Sequence, residues 1–173
     1  IPLTSKMKNP YQRIQNQDGR YQPVKGLEMK EPTKRFTCTL SGDMWRYIWM
    51  INDRVFPHNT PLRVQEGDRV EITFVNDTLM GHPMHLHGHI FQVTKLNGST
   101  LYGPMRNTVF VPPGETVTIE FDADNPGNWA MHCHFLYHLW AGMYTTLLYE
   151  GVEPLKFSSQ TIERYLNRYG GHR

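Results

Sequence analysis

Seven of the nine histidines fall in two short windows, 82–89 and 132–138, far more than an even spread over 173 residues would place there. The first window runs His82-Pro83-Met84-His85-Leu86-His87-Gly88-His89, and the second holds His132-Cys133-His134 and His138. A lone histidine is most simply a core or surface residue, but imidazoles gathered around a thiol form a metal-binding set. Cys133 offers a soft thiolate, His82 and His138 offer imidazoles, and Met143, five residues past His138, offers a long, weak thioether. Two His, one Cys and an axial Met make the trigonal site that suits blue copper. Structural zinc would want a second Cys, or finger-type His spacing beside a Cys pair, and neither is present in the two histidine windows.

The elements that must position these groups are strands. Successive side chains on a strand leave opposite faces. If 130–134 is extended, Cys133 points one way while His132 and His134 point the other, and His85 and His87 share a face by the same rule. One metal ion would then sit inside through Cys133, with four imidazoles (His85, His87, His132, His134) on another side. Cys133 would join the two sites covalently.

Alternation elsewhere is of the same kind. Val70, Ile72 and Phe74 alternate with Glu71 and Thr73, and Val117, Ile119 and Phe121 with Thr116, Thr118 and Glu120. Further strands are expected at 34–40, 45–51, 89–96, 107–111, 128–134 and 143–149. Turn signals separate them at Ser41-Gly42-Asp43, Glu66-Gly67-Asp68, Asn97-Gly98, Pro112-Pro113-Gly114 and Asn125-Pro126-Gly127. Many short strands at this spacing predict an all-β, antiparallel sandwich. Helix is expected only at 135–141 and 159–168. Residues 1–33, rich in Pro, Gln, Asn, Lys and Arg, read as an extended arm or linker, 34–152 as the domain and 153–173 as a tail.

At this point the chain resembles the multicopper oxidases, in particular the bacterial copper-resistance branch and laccases. The resemblance covers roughly 34–150 and corresponds to the C-terminal cupredoxin domain of a three-domain oxidase. It rests on Ser-Gly-Asp-Met-Trp-Arg-Tyr-Ile-Trp-Met-Ile-Asn (41–52), Gly-His-Pro-Met-His-Leu-His-Gly-His (81–89), Asn-Pro-Gly-Asn-Trp-Ala-Met-His-Cys-His (125–134) and Leu-Tyr-His-Leu-Trp-Ala-Gly-Met (136–143). It implies a cupredoxin-like Greek-key β-sandwich. It implies His82, Cys133, His138 and Met143 as type 1 copper ligands, His85 for the type 2 copper, and His87, His132 and His134 for the type 3 pair. His89 follows the motif but is not expected to be a ligand.

The implied activity is oxidation of a small reductant, a cuprous ion or a phenolic compound, with electrons passing through Cys133 to a trinuclear site that reduces dioxygen to water. The family's trinuclear site needs eight histidines, and this chain has four in the right motifs, since His58 and His172 stand alone. The other four are expected from a second cupredoxin domain or from a homo-oligomer. Leu139 stands where some cuprous-oxidase branches have an acid. A different class remains open, a non-enzymatic electron carrier or copper-sequestering domain. The resemblance also implies a periplasmic or secreted setting.

Composition fits. With 18 basic and 16 acidic residues the net charge is +2, too small an excess to argue for nucleic acid or an anionic membrane surface. No stretch approaches the roughly 20 apolar residues of a membrane span. Ile-Pro-Leu-Thr-Ser-Lys lacks a signal-peptide pattern, so a mature form and a piece of a longer chain both stay open. Cys133 sits in a ligand environment and Cys38 reads as a small buried strand residue, so no disulfide is expected. Met44, Met50, Met80, Met84, Met105 and Met131 read as core filling. Trp45, Tyr47 and Trp49 read as packing along a strand, and the basic residues of the first 35 positions as a solvated arm.

Overall fold

The computed structural model describes residues 26–154. The predicted helix at 159–168 and most of the arm and tail therefore lie outside the described residues. Twelve strands and one short helix occupy the described chain. They are β1 Lys34–Asp43, β2 Ile48–Ile51, β3 Leu62–Val64, β4 Arg69–Asn76, β5 His82–Leu86, β6 Phe91–Leu96, β7 Ser99–Thr100, β8 Met105–Arg106, β9 Thr108–Val111, β10 Thr116–Asp122, β11 Asn128–Cys133, α1 Leu136–Trp140 and β12 Tyr144–Tyr149.

The strands form two sheets. One runs β2-β1-β4-β10-β6-β7, with β8 also on β6, and the other runs β3-β12-β11-β5-β9. Their facing sides make one core. Val70, Ile72, Phe74, Val117, Ile119 and Phe121 come from the first sheet, and Met84, Leu86, Met131 and Leu147 from the second, all essentially inaccessible. Each such side chain contributes about 1.5–3 kcal/mol through burial. Among the described residues no helix is long and apolar enough to cross a membrane.

The sandwich is as expected, but its sheets are mixed rather than purely antiparallel. β1 lies parallel to β4 (Lys34↔Val70) and β12 parallel to β3 (Leu62↔Leu147). The reason is a crossover: after β2 the chain places β3 in the opposite sheet before returning as β4, and parallel neighbours need such a long connection.

The expected strand 45–51 is also cut short. Ser41-Gly42-Asp43 is no turn; it pairs with Met50, Trp49 and Ile48 as the end of β1. The turn comes one step later, because the Asp43 carboxylate accepts the N–H groups of Trp45 (2.8 Å) and Arg46 (3.1 Å), an Asx-type turn that takes the backbone out of the ladder. Trp45 is consequently fully exposed and Tyr47 partly so, while Trp49 is buried. Gly42 is small for a packing reason, since a Cβ there would run into the Trp49 ring. Asn97-Gly98 is the predicted hairpin turn, both residues having positive φ (48° and 76°), as a type I′ turn requires.

The described part of the arm is not a free solvated segment. The Leu27 N–H donates to Gln92 (3.0 Å), the Glu28 carbonyl accepts from Arg69 (2.8 Å), and Lys30 reaches the Gly67 carbonyl (3.2 Å). Of the methionines assigned to the core, Met84 and Met131 are buried, Met50 and Met105 are half-buried, and Met44 and Met80 are exposed.

Candidate metal centre

Strand alternation builds the inner site. Along β5, His82, Met84 and Leu86 are buried while Pro83 and His85 face outward. Along β11, Met131 and Cys133 are buried and His132 is half-exposed. The two strands are neighbours, with Cys133 opposite Met84 and His132 opposite His85.

α1 delivers the third donor. The Phe135 carbonyl accepts from the His138 and Leu139 N–H groups (2.9 and 3.0 Å), so the chain turns back immediately after β11. The Met143 N–H donates to the His138 carbonyl (3.0 Å) and the Cys133 N–H to the Met143 carbonyl (3.1 Å). Residues 133–143 thus close into a compact loop.

Inside it, His82 Nδ1 and His138 Nδ1 are 3.1 Å apart, and each is 3.7 Å from Cys133 Sγ. All three side chains are buried, and these ligand atoms lie within 4.8 Å of one another. Met143 is fully buried at the closing end of the same loop. Trp49 caps the group, its ring 4.2 Å from that of His138 and 5.2 Å from that of His82.

The electrostatics suit a metal ion. Burial, reinforced by His138, pulls the His82 pKa down to about 4, and burial lowers that of His138 as well. Both rings are therefore neutral at pH 7, as ligands must be. Burial pushes the Cys133 thiol up to about 12, with the Phe135 N–H pulling weakly the other way. A thiolate here needs a cation beside it, and the two neutral imidazoles leave that role to a metal ion. The donor set fits copper.

The outer set is a cluster of four imidazoles. Ring centroids of His85 lie 4.7 Å from His87, 5.5 Å from His132 and 5.6 Å from His134. His87 Nε2 and His132 Nε2 are 3.0 Å apart. His85 Nδ1 donates to the Asn107 carbonyl (2.8 Å) and His132 Nδ1 to the Cys133 carbonyl (2.9 Å), which leaves Nε2 of each ring as the lone-pair atom. Burial lowers the pKa of His87 and His132, with added repulsion from neighbouring imidazoles. His134 and His87 are exposed.

His89 stands apart from both groups. Its Nδ1 donates to the His87 carbonyl (3.2 Å) and its Nε2 meets the Tyr149 hydroxyl at 2.6 Å, so both ring nitrogens are occupied. His58 is exposed and belongs to neither group. Cys38 and Cys133 are both free thiols. The sequence reasoning missed Trp49 as the cap of the inner site, and it missed Thr78, whose hydroxyl lies 2.8 Å from His82 Nε2. Thr78 stands four residues before His82, and no spacing rule points to it.

Sheets, buried His-Cys-His group and exposed histidine cluster together define a copper-protein architecture of cupredoxin type. Residues 29–152 match the multicopper oxidase family. Multicopper oxidase MmcO of Mycobacterium tuberculosis is 46% identical over 123 residues, covering 71% of this chain and 24% of that protein. Copper resistance protein A of Escherichia coli is 37% identical over 115 residues, covering 66% of this chain and 19% of its own. Among solved structures, the blue copper oxidase from Nitrosomonas europaea superposes with a TM-score of 0.63 at 29% identity, over 69% of this chain and 44% of that one. The chain belongs to the multicopper oxidase family. It spans about a quarter or less of the length of these two curated relatives.

Proposed function

We propose that this domain holds a complete type 1 copper site, through His82, Cys133, His138 and Met143, and half of a trinuclear copper site, through His85, His87, His132 and His134. One observation carries the reading. Adjacent residues of β11 serve the two sets, Cys133 buried against His82 and His138, and His132 outward among the imidazoles. Copper in these sets would supply one-electron oxidation of a reductant and reduction of dioxygen to water; the names blue copper oxidase and multicopper oxidase of the relatives support copper-dependent oxidation.

The residues' own contributions follow from their surroundings. Cys133 yields its proton to become a thiolate when a cation enters. His82 and His138 present neutral Nδ1 atoms without proton loss, and the Trp49 ring keeps water from them. Exposed Tyr47 and Phe135, with rings 6.3 and 5.5 Å from that of His138, mark the edge that a small reductant such as a cuprous ion or a phenol would approach. The missing four imidazoles come from a second cupredoxin domain or a second copy of the chain. The setting is periplasmic or secreted.

Four imidazoles in the outer cluster, half the family's number, also favour a second reading, an electron carrier or copper store. Oxygen uptake separates the two. The copper-loaded chain, alone and with its partner domain, is given a cuprous or phenolic reductant. Consumption of oxygen that Cys133→Ser abolishes supports the oxidase. Reduction of the copper with no oxygen uptake in either form supports the carrier.

A further inference from the structure

The loop before β5 carries a chain of hydrogen bonds in which every donor can be assigned. Asn76 is buried, and its Nδ2 faces the carbonyls of Met80 (2.7 Å), Pro112 (2.9 Å) and Val111 (3.1 Å). Carbonyl oxygens only accept, so the amide orientation is settled and Oδ1 is the atom turned toward Thr78. Oδ1 accepts from the Thr78 N–H (3.0 Å) and from the Thr78 hydroxyl (2.7 Å).

A hydroxyl has one proton. The Asn76 oxygen carries no proton of its own and lies 2.7 Å from Oγ1, so that contact requires the hydroxyl proton, whereas the 2.8 Å contact with His82 Nε2 can be bridged by a ring proton and the Met80 carbonyl is farther, at 3.0 Å. Thr78 Oγ1 is then an acceptor toward everything else, namely the Met80 N–H (3.2 Å) and His82 Nε2 (2.8 Å). His82 must carry its proton on Nε2, which leaves the Nδ1 lone pair directed at Cys133 Sγ and His138 Nδ1.

We infer that Thr78, oriented by Asn76, is the positioning residue that holds His82 in the Nε2–H tautomer and aims Nδ1 at the metal. This rests on the type 1 reading of the His82/Cys133/His138 group and deepens it. Partners of this kind orient a metal-ligating histidine and raise its basicity, and their loss costs about 10–100-fold in metal affinity or activity.

The test uses the full chain with Thr78→Val, which keeps the shape and removes the acceptor, and Thr78→Ser, which keeps the hydroxyl. Nitrogen-15 NMR of the metal-free wild type should show His82 protonated on Nε2 alone. Thr78→Val should show mixed tautomers and bind cuprous ion about 10–100-fold more weakly in competition with a chromogenic chelator, while Thr78→Ser restores both. Wild-type His82 protonated on Nδ1 overturns the inference, and this holds even if the Val variant fails to fold. So does a folded Thr78→Val with unchanged tautomer and affinity beside a blue wild type. A wild type that takes up no copper through Cys133 overturns the underlying reading, and this one with it.

Discussion

His132 donates a hydrogen bond from its ring Nδ1 to the carbonyl oxygen of Cys133, 2.9 Å away. The outward imidazole is thus bonded to the main chain of the inward thiol. This fixes Nε2 of His132 toward His87, 3.0 Å distant, while Cys133 stays buried on the other face. The two proposed metal-binding sets are joined by one residue step and one hydrogen bond.

The opposed faces predict opposed mutational effects. His132→Ala or His134→Ala should leave the blue absorption of the copper-loaded chain, since both side chains belong to the outer cluster. His82→Ala or His138→Ala should bleach it. Visible spectra at equal copper loading check this, and equal loss in all four variants would refute the face assignment.

Met143→Leu should keep the colour and raise the reduction potential, because a weak axial donor to the oxidised ion is removed. Met143 is fully buried and Leu has similar volume, so stability should fall by less than about 1.5 kcal/mol. Spectroelectrochemistry gives the potential. A lowered potential would place Met143 elsewhere than on the copper.

Acid should destabilise the metal-free fold. Burial, aided by His138, lowers the His82 pKa from 6.5 to about 4, and burial lowers those of His132 and His138. The unfolded chain therefore binds protons at these rings before the folded chain does. Stability is fully present above pH 6.5 and falls as the pH drops toward 4, by about 1.4 kcal/mol per pH unit for His82, with His132 and His138 acting in the same direction. Urea midpoints should be lower near pH 5 than near pH 7. An unchanged or higher midpoint near pH 5 would contradict it.

Gly88 should not tolerate a side chain. Its φ is +72°, and a Cβ there would run into the Trp129 ring. Its carbonyl accepts from Asn125 (2.9 Å), whose own carbonyl accepts the Trp129 indole N–H (2.7 Å). Gly88→Ala should cost about 1–3 kcal/mol and displace His87 beside it, weakening copper uptake by the outer cluster and sparing the blue site. Denaturation with copper counting tests both halves, and a change under about 0.5 kcal/mol would show that the loop is not tightly held.

Much of this was legible in local pattern. Alternation of Val117, Ile119 and Phe121 marked β10, and the one-residue step from His132 to Cys133 already implied two faces. What escaped depends on contacts distant in sequence or on single side chains. The parallel β1–β4 pairing arises from a crossover that no window of residues displays. Trp45, Tyr47 and Trp49 alternate as a strand would, but the Asp43 carboxylate turns the backbone and sends only Trp49 inward. Gly42 looked like turn punctuation and instead makes room for that indole. Thr78 became visible only once its hydroxyl lay beside His82.

On the proposed reading, Cys133 anchors one copper inside the domain while the imidazole cluster holds copper outside it. Native mass spectrometry of the copper-loaded chain, with its visible spectrum and a Cys133→Ser control, tests this most directly. The wild type should be blue, bind copper beyond one ion per chain and associate through the outer cluster. Cys133→Ser should lose the colour and one copper per chain, and keep the outer copper. A colourless wild type whose copper content matches that of Cys133→Ser would contradict the inner site. A blue monomer holding a single copper would contradict sharing between copies of the chain and leave a second cupredoxin domain to complete the outer set.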